Sequence, residues 1–181
     1  MPFILDLLFQ FALWLKTTPL VGVALWIQST PLCALINSNI WLAPVVQTIH
    51  ILAITATVVS VLMLSLRIFR LAGVSRTVAQ VAAQHLPWIW WALVVLLATG
   101  LILIIGEPVR ELLNPAFWTK MILVVVACLL SLGFQDSVRR NASRWELAGN
   151  GTLAMRAGAV AVLILWCLII LLGRWIAYAP T

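Results

Sequence analysis

The chain has 181 residues, a formal net charge of +6, 64% hydrophobic residues and 9% charged residues. Soluble domains run nearer half apolar and a quarter charged, so water is excluded as the solvent for most of this surface. The basic residues sit in short loops between apolar runs, a placement that sets membrane orientation and argues against nucleic acid as a partner. Cys33, Cys128 and Cys167 are odd in number and lack CxxC spacing, which excludes a disulfide framework and a zinc site. The start of the chain carries Asp6 in place of a basic n-region, so neither a cleavable signal nor a lipid anchor is expected.

The first apolar run, Phe3 to Leu15, is about 13 residues long, too short to cross a bilayer that needs roughly 20. Asp6 and Gln10 share one helical face, which predicts an amphipathic helix lying in the interface. Thr18-Pro19 opens a second short piece, Leu20 to Ile27, ended by Ser29-Thr30-Pro31. The alternative is one broken span over Phe3 to Ile27. Asn37-Ser38-Asn39 is a turn signal. These breaks divide the chain into an interfacial region, 1–40, and a membrane domain, 41–181.

Four longer runs follow, at Pro44 to Leu66, Trp88 to Ile105, Phe117 to Phe134 and Leu153 to Ile176. Each must be helical, because hydrocarbon offers no partner for free backbone groups. The expected fold is an all-α integral membrane protein, a four-transmembrane-helix bundle with N-terminal amphipathic interfacial helices.

Arginine sets the expected orientation. Arg67, Arg70 and Arg76 follow the first span, and Arg139, Arg140, Arg144 and Arg156 outnumber Asp136 and Glu146 after the third. The loop between spans two and three holds Glu107, Arg110 and Glu111. Both Arg-rich loops are therefore expected in the cytoplasm and both chain ends outside. Most of the ten tryptophans suit an interfacial belt, with Trp41, Trp118 and Trp175 at outer ends and Trp88, Trp90 and Trp91 at an inner one. Trp145 falls in the second cytoplasmic loop. Ala154 and Gly158 have the spacing of close helix packing.

Polar side chains in hydrocarbon are costly, so the few present are informative. Gln47 and His50 are three apart on span one and share a face. At the usual helical rise, His50 lies about 9 Å past Pro44 and Lys120 about 5 Å past Phe117. Thr99 and Gly100 occupy the outer half of span two. Antiparallel helices bring His50, Thr99 and Lys120 to similar depth, which predicts a polar pocket opening outward. A neutral imidazole there ligates haem iron or copper, or exchanges a proton with a quinol. Lys120 pairs with a propionate, an anionic head group or a developing anion. The plainer alternative is an interhelical hydrogen bond for His50 and a snorkelling Lys120.

His85, before the second span, is expected to be a loop or interface histidine too far from His50 to share a metal. Bis-histidine haem would need a homodimer with one His50 from each chain. Gln135 is expected to be a cap of the third span or a headgroup contact, and Asp136 with Arg139 and Arg140 to form a solvated membrane-surface cluster. Met63, Met121 and the cysteines are scattered, which is poor material for copper. HExxH, P-loop and GxSxG patterns are absent from the sequence.

The run Pro44-x-x-Gln47-x-x-His50, Leu86-Pro87-Trp88-x-Trp90, Thr99-Gly100 and Asn114-Pro115-x-Phe117-x-x-Lys120 resembles a family of small bacterial inner-membrane proteins of unknown function. More distantly it is similar to the copper-resistance D membrane domain and the small membrane-type protoporphyrinogen oxidase. The resemblance covers about residues 40 to 135. It implies a small protein of the bacterial inner membrane and, by analogy, haem b or copper handling; in such a membrane the arginine-rich loops put both termini in the periplasm. That family tends to carry an acid where this chain has Gln47 and a histidine where it has Gln135.

These readings converge on a periplasm-facing site that binds haem b or a quinone in electron transfer. His50 is its ligand or proton partner and the candidate metal residue. Lys120 is the charge partner, and Gln47 and Thr99 support them. The rivals are a copper-handling or transport module and a non-catalytic accessory subunit. The expected partners are the lipid bilayer and a second copy of the chain or a redox protein.

Overall fold

The computed structural model describes residues 2–73, 75–140 and 153–175, without the side chains of 2–8, 138, 139 and 154. The expectations for the side chains of Asp6, Arg139, Arg144, Trp145, Glu146 and Ala154, and for the end of the chain after Trp175, lie outside the described residues. Eight helices cover most of the rest. They are α1 (Pro2–Thr17), α2 (Leu20–Gln28), α3 (Pro31–Ser38), α4 (Leu42–Ile68), α5 (Val78–Gly106), α6 (Pro108–Leu112), α7 (Pro115–Arg140) and α8 (Leu153–Trp175).

Helices α4 and α5, residues Pro115–Ser137 of α7 and Met155–Trp175 of α8 are each long and apolar enough to cross a membrane. Their surfaces are inverted relative to a soluble bundle. Trp88, Leu97, Ile122, Leu129 and Leu171 are all more than three-fifths exposed, an arrangement stable only against acyl chains. The protein is a multi-pass membrane protein.

Local chemistry explains where the helices begin. Thr30 caps α3, accepting from the Cys33 amide, and Pro31 fills the first helical position, where its missing N–H costs nothing. Thr77 and Gln80 form a reciprocal capping box, with the Gln80 amide on the Thr77 hydroxyl at 3.1 Å and the Thr77 amide on Gln80 Oε1 at 2.9 Å. This box starts α5 at Val78, so the helix extends ahead of the predicted span from Trp88 and contains His85 and Pro87, which overturns the loop alternative for His85. The backbone break at Pro87 is of a kind that membrane helices tolerate.

Near the amino end, α1 and α2 meet at a 73° bend. Thr17 and Thr18 fold their hydroxyls back onto the carbonyls of Trp14 and Leu15, which ends α1 by offering its last acceptors local partners. Together the two helices are apolar enough to form one broken span or a re-entrant pair.

Two compact units form. Unit 1 contains 1–50, 97–122 and 170–181, and unit 2 contains 51–96 and 123–169. In unit 1, α2 packs on α6, and Ala116 and Phe117 are buried among Ile104, Leu112, Met121 and Leu172. Helix α3 is tied to the end of α5, where Asn37 Nδ2 donates to the Gly106 carbonyl at 3.0 Å. The approach is close: a methyl on Gly106 would meet Ile36 at 3.3 Å. In unit 2, Trp166 is 3% exposed and sits among Val61, Leu64, Leu86, Ile89 and Ile169. The Trp90 indole donates to Gln135 Oε1 at 3.3 Å. Gln135 is thus an interhelical acceptor, which overturns the cap alternative for it. Arg140 pairs with Asp136 at 2.8 Å on the exposed side of α7.

Candidate functional site

The site is built in unit 1 from three helices and a short connection. Helix α4 carries His50, α5 carries Thr99 and Gly100, α7 carries Lys120, and α6 carries Glu111. His50 Nδ1 and Thr99 Oγ1 are 2.7 Å apart. A methyl placed on Gly100 would lie 3.7 Å from His50 Cε1, so the imidazole rests directly against that glycine. Thr99 is 6% exposed and His50 is half-buried. A polar pair this far out of water needs its bond, since an unmet donor or acceptor costs about 1–3 kcal/mol.

Lys120 owes its position to the start of α7. Asn114 is 3% exposed, and its Oδ1 accepts from the Ala116 amide at 2.9 Å, with Pro115 at the first helical position. The Trp118 indole donates to the Leu112 carbonyl at 2.9 Å and locks α7 to α6. One turn on, the Lys120 ammonium lies 5.2 Å from the centroid of the Phe117 ring, a cation–π contact. Its stem runs past α8, where a methyl on Gly173 would be 3.8 Å from Lys120 Cδ. The Lys120 charge acts on His50 and on Glu111.

Glu111 is the residue that sequence reasoning missed. Burial holds its carboxyl above the usual carboxylate range, and Glu107 adds to the rise, while Lys120 and Arg110 oppose it. Glu107 is engaged with Arg110 at 2.6 Å on the exposed side. The available signal was position, because Glu111 lies nine residues before Lys120 across one tight turn; the loop was weighed only for its net charge.

Three of the four expected residues therefore occupy one neighbourhood: His50, Thr99 and Lys120. Gln47 is exposed on α4. His85 lies in unit 2 and His50 in unit 1. Among the described residues, Thr99 is the imidazole's hydrogen-bond partner. That leaves the opposite ring nitrogen, Nε2, for a ligand or a proton. No three His, Cys, Asp or Glu side chains gather closely enough to hold a metal ion among the described residues.

Residues 34–179 match a family of unknown function (DUF6644), and the chain belongs to that family. No curated protein and no solved structure shows significant similarity to it.

Proposed function

We propose that this chain binds a redox cofactor within the membrane, with haem b as the first assignment and His50 Nε2 as the iron ligand. The observation that carries the reading is the 2.7 Å bond between His50 Nδ1 and Thr99 Oγ1. A ligating histidine is normally held through its second nitrogen, which fixes both tautomer and ring plane. If Nδ1 donates to Thr99, Nε2 presents its lone pair. Gly100 leaves the ring room to sit flat against α5. Lys120 is the cation for a propionate, and Glu111 balances its charge in the absence of ligand. Bound haem would supply one-electron exchange; the chain's own residues orient, ligate and neutralise.

A quinone in the same place is the second reading, and Glu111 is the observation that favours it. A partly buried carboxyl whose charge couples to Lys120, which in turn couples to His50, is a set of groups suited to taking up a quinol proton. A copper-handling reading rests on His50 alone, and the accessory reading rests on none of these contacts. The distant likeness to the copper-resistance D membrane domain and to the small membrane-type protoporphyrinogen oxidase belongs to this proposal. So does placement in a bacterial inner membrane with both termini periplasmic.

The test is an absorption spectrum of detergent-purified protein expressed with ample haem. The expected result is a Soret band that disappears in His50→Ala and survives in His85→Ala. A colourless preparation overturns the haem assignment. His50→Ala and Lys120→Ala variants that leave cellular function intact would support the accessory reading. Orientation has its own test: in a background without native cysteines, a cysteine at position 111 is labelled from outside the cell and one at position 140 is not.

A further inference from the structure

Unit 2 contains a cavity of about 350 Å³ among α4, α5, α7 and α8, within the range of about 300–1,000 Å³ typical of small-molecule sites. Its wall is nearly all hydrocarbon. Two of the three serines that reach it, Ser65 and Ser131, donate their hydroxyls to the carbonyls of Val61 and Ala127 on their own helices. Those hydroxyls are committed to the backbone, so the interior suits a hydrocarbon chain better than a polar molecule. From Val61 to Ile68 the lining follows α4 for about 10 Å at the usual helical rise.

One end has a distinct character. Ile68 is the last residue of α4, Ser137 lies in the last turn of α7, and Met155 lies in the first turn of α8. Arg67, Arg140 and Arg156 lie within three residues of these in the sequence. Asp136 is the sole acid among the described residues of unit 2. Arg67 is engaged with the Arg76 carbonyl and Arg140 with Asp136. Arg156 follows the lining residue Met155 in the chain without itself lining the cavity, and its Nε is buried without a hydrogen-bond partner among the described residues. A guanidinium donor withdrawn from water calls for an anion, and phosphate meets that demand with strong charge-assisted bonds.

We propose that this cavity is a specific site for an anionic phospholipid, with one acyl chain in the apolar interior and the phosphate at Arg156. Basic pockets between membrane helices are the usual means of holding anionic head groups. The proposal stands on unit 2 alone and is independent of the reading of His50.

The test uses the full chain, equilibrated in detergent with equal amounts of phosphatidylglycerol and phosphatidylcholine of matched acyl chains. Retained lipid is then counted by mass spectrometry after washing. The expected result is close to one phosphatidylglycerol per chain, with little phosphatidylcholine. Arg156→Gln should reduce that preference about tenfold, which corresponds to roughly 1.4 kcal/mol. A methyl on Gly158 meets nothing within 4 Å, so Gly158→Phe can fill the cavity and should abolish retention while helicity is unchanged. If Gly158→Phe loses helicity, Ala159→Leu supplies a smaller plug with the same expected loss. Retention of both lipids alike, retention of neither, or full retention in a plugged variant of native helicity would overturn the proposal.

Discussion

Units 1 and 2 draw on the same four long helices and each has a side-chain bond between helices, Trp90 to Gln135 in unit 2 and His50 to Thr99 in unit 1, yet of these two it is the second that involves a group able to ligate or exchange a proton. In unit 2 the hydroxyls of Thr57, Ser65 and Ser131 each bond to a carbonyl one turn back. Such bonds satisfy the hydroxyl cheaply in hydrocarbon and leave it nothing to offer a ligand. In unit 1 the bond between His50 and Thr99 crosses from α4 to α5, Lys120 lies over Phe117, and Glu111 is drawn partly out of water. The difference teaches that a count of polar residues in a membrane helix says little. What marks a site is a polar group whose bond leaves its own helix and holds a second atom ready for something else.

Substituting the centre of unit 2 should give the largest effect on folding. In lipid the water-transfer part of a core deletion falls away, and the cavity part remains. Trp166→Ala should cost on the order of 3 kcal/mol, read as a lowered midpoint in detergent unfolding. It should leave the residues around His50 unchanged, so cofactor affinity measured well below that midpoint should be normal. A large loss of affinity would mean that the two regions do not act separately.

Thr99→Val is the matching change in unit 1, keeping shape and removing the hydroxyl. Loss of an orienting partner typically weakens a ligand site by about 10- to 100-fold. The expected result is that loss in cofactor titrations, with a stability change of about 1–2 kcal/mol because Nδ1 is left without its partner. Unchanged affinity would show that the bond only joins two helices.

The smallest effect sharpens the comparison at Glu111. Its carboxyl is raised in the folded protein, so its ionisation opposes folding. The folded-state advantage of the protonated form is complete below the unfolded value and disappears as pH rises through the folded one. Glu111→Gln should therefore stabilise by about 0.5 kcal/mol near neutral pH, as is usual for a half-exposed substitution. The gain should vanish as pH falls through the ordinary carboxylate range. A gain that persists at low pH would point to packing, not charge.

Much of this architecture was legible beforehand, for reasons particular to the residues. The four spans announced themselves because hydrocarbon admits long apolar helices and little else. His50, Thr99 and Lys120 could be placed together because helical rise converts sequence offset into depth. The first turns of α5 lie ahead of the predicted span because hydropathy reads only the apolar run, whereas the capping box at Thr77 and Gln80 sets where the helix begins. Gln135 looked like a cap or a headgroup contact because its acceptor role depends on Trp90, 45 residues earlier in the chain. Glu111 was missed for a similar reason: its burial comes from packing around α6, which periodicity does not encode.

The central claim is that the nitrogen of His50 opposite Thr99 takes a cofactor. Titrating haem into cofactor-free, detergent-purified protein and following the Soret band tests it most directly. Saturation at one haem per chain in the wild type, and its loss in His50→Ala, is the expected result. Saturable one-to-one binding that persists in His50→Ala, or no saturable binding in the wild type, would contradict it.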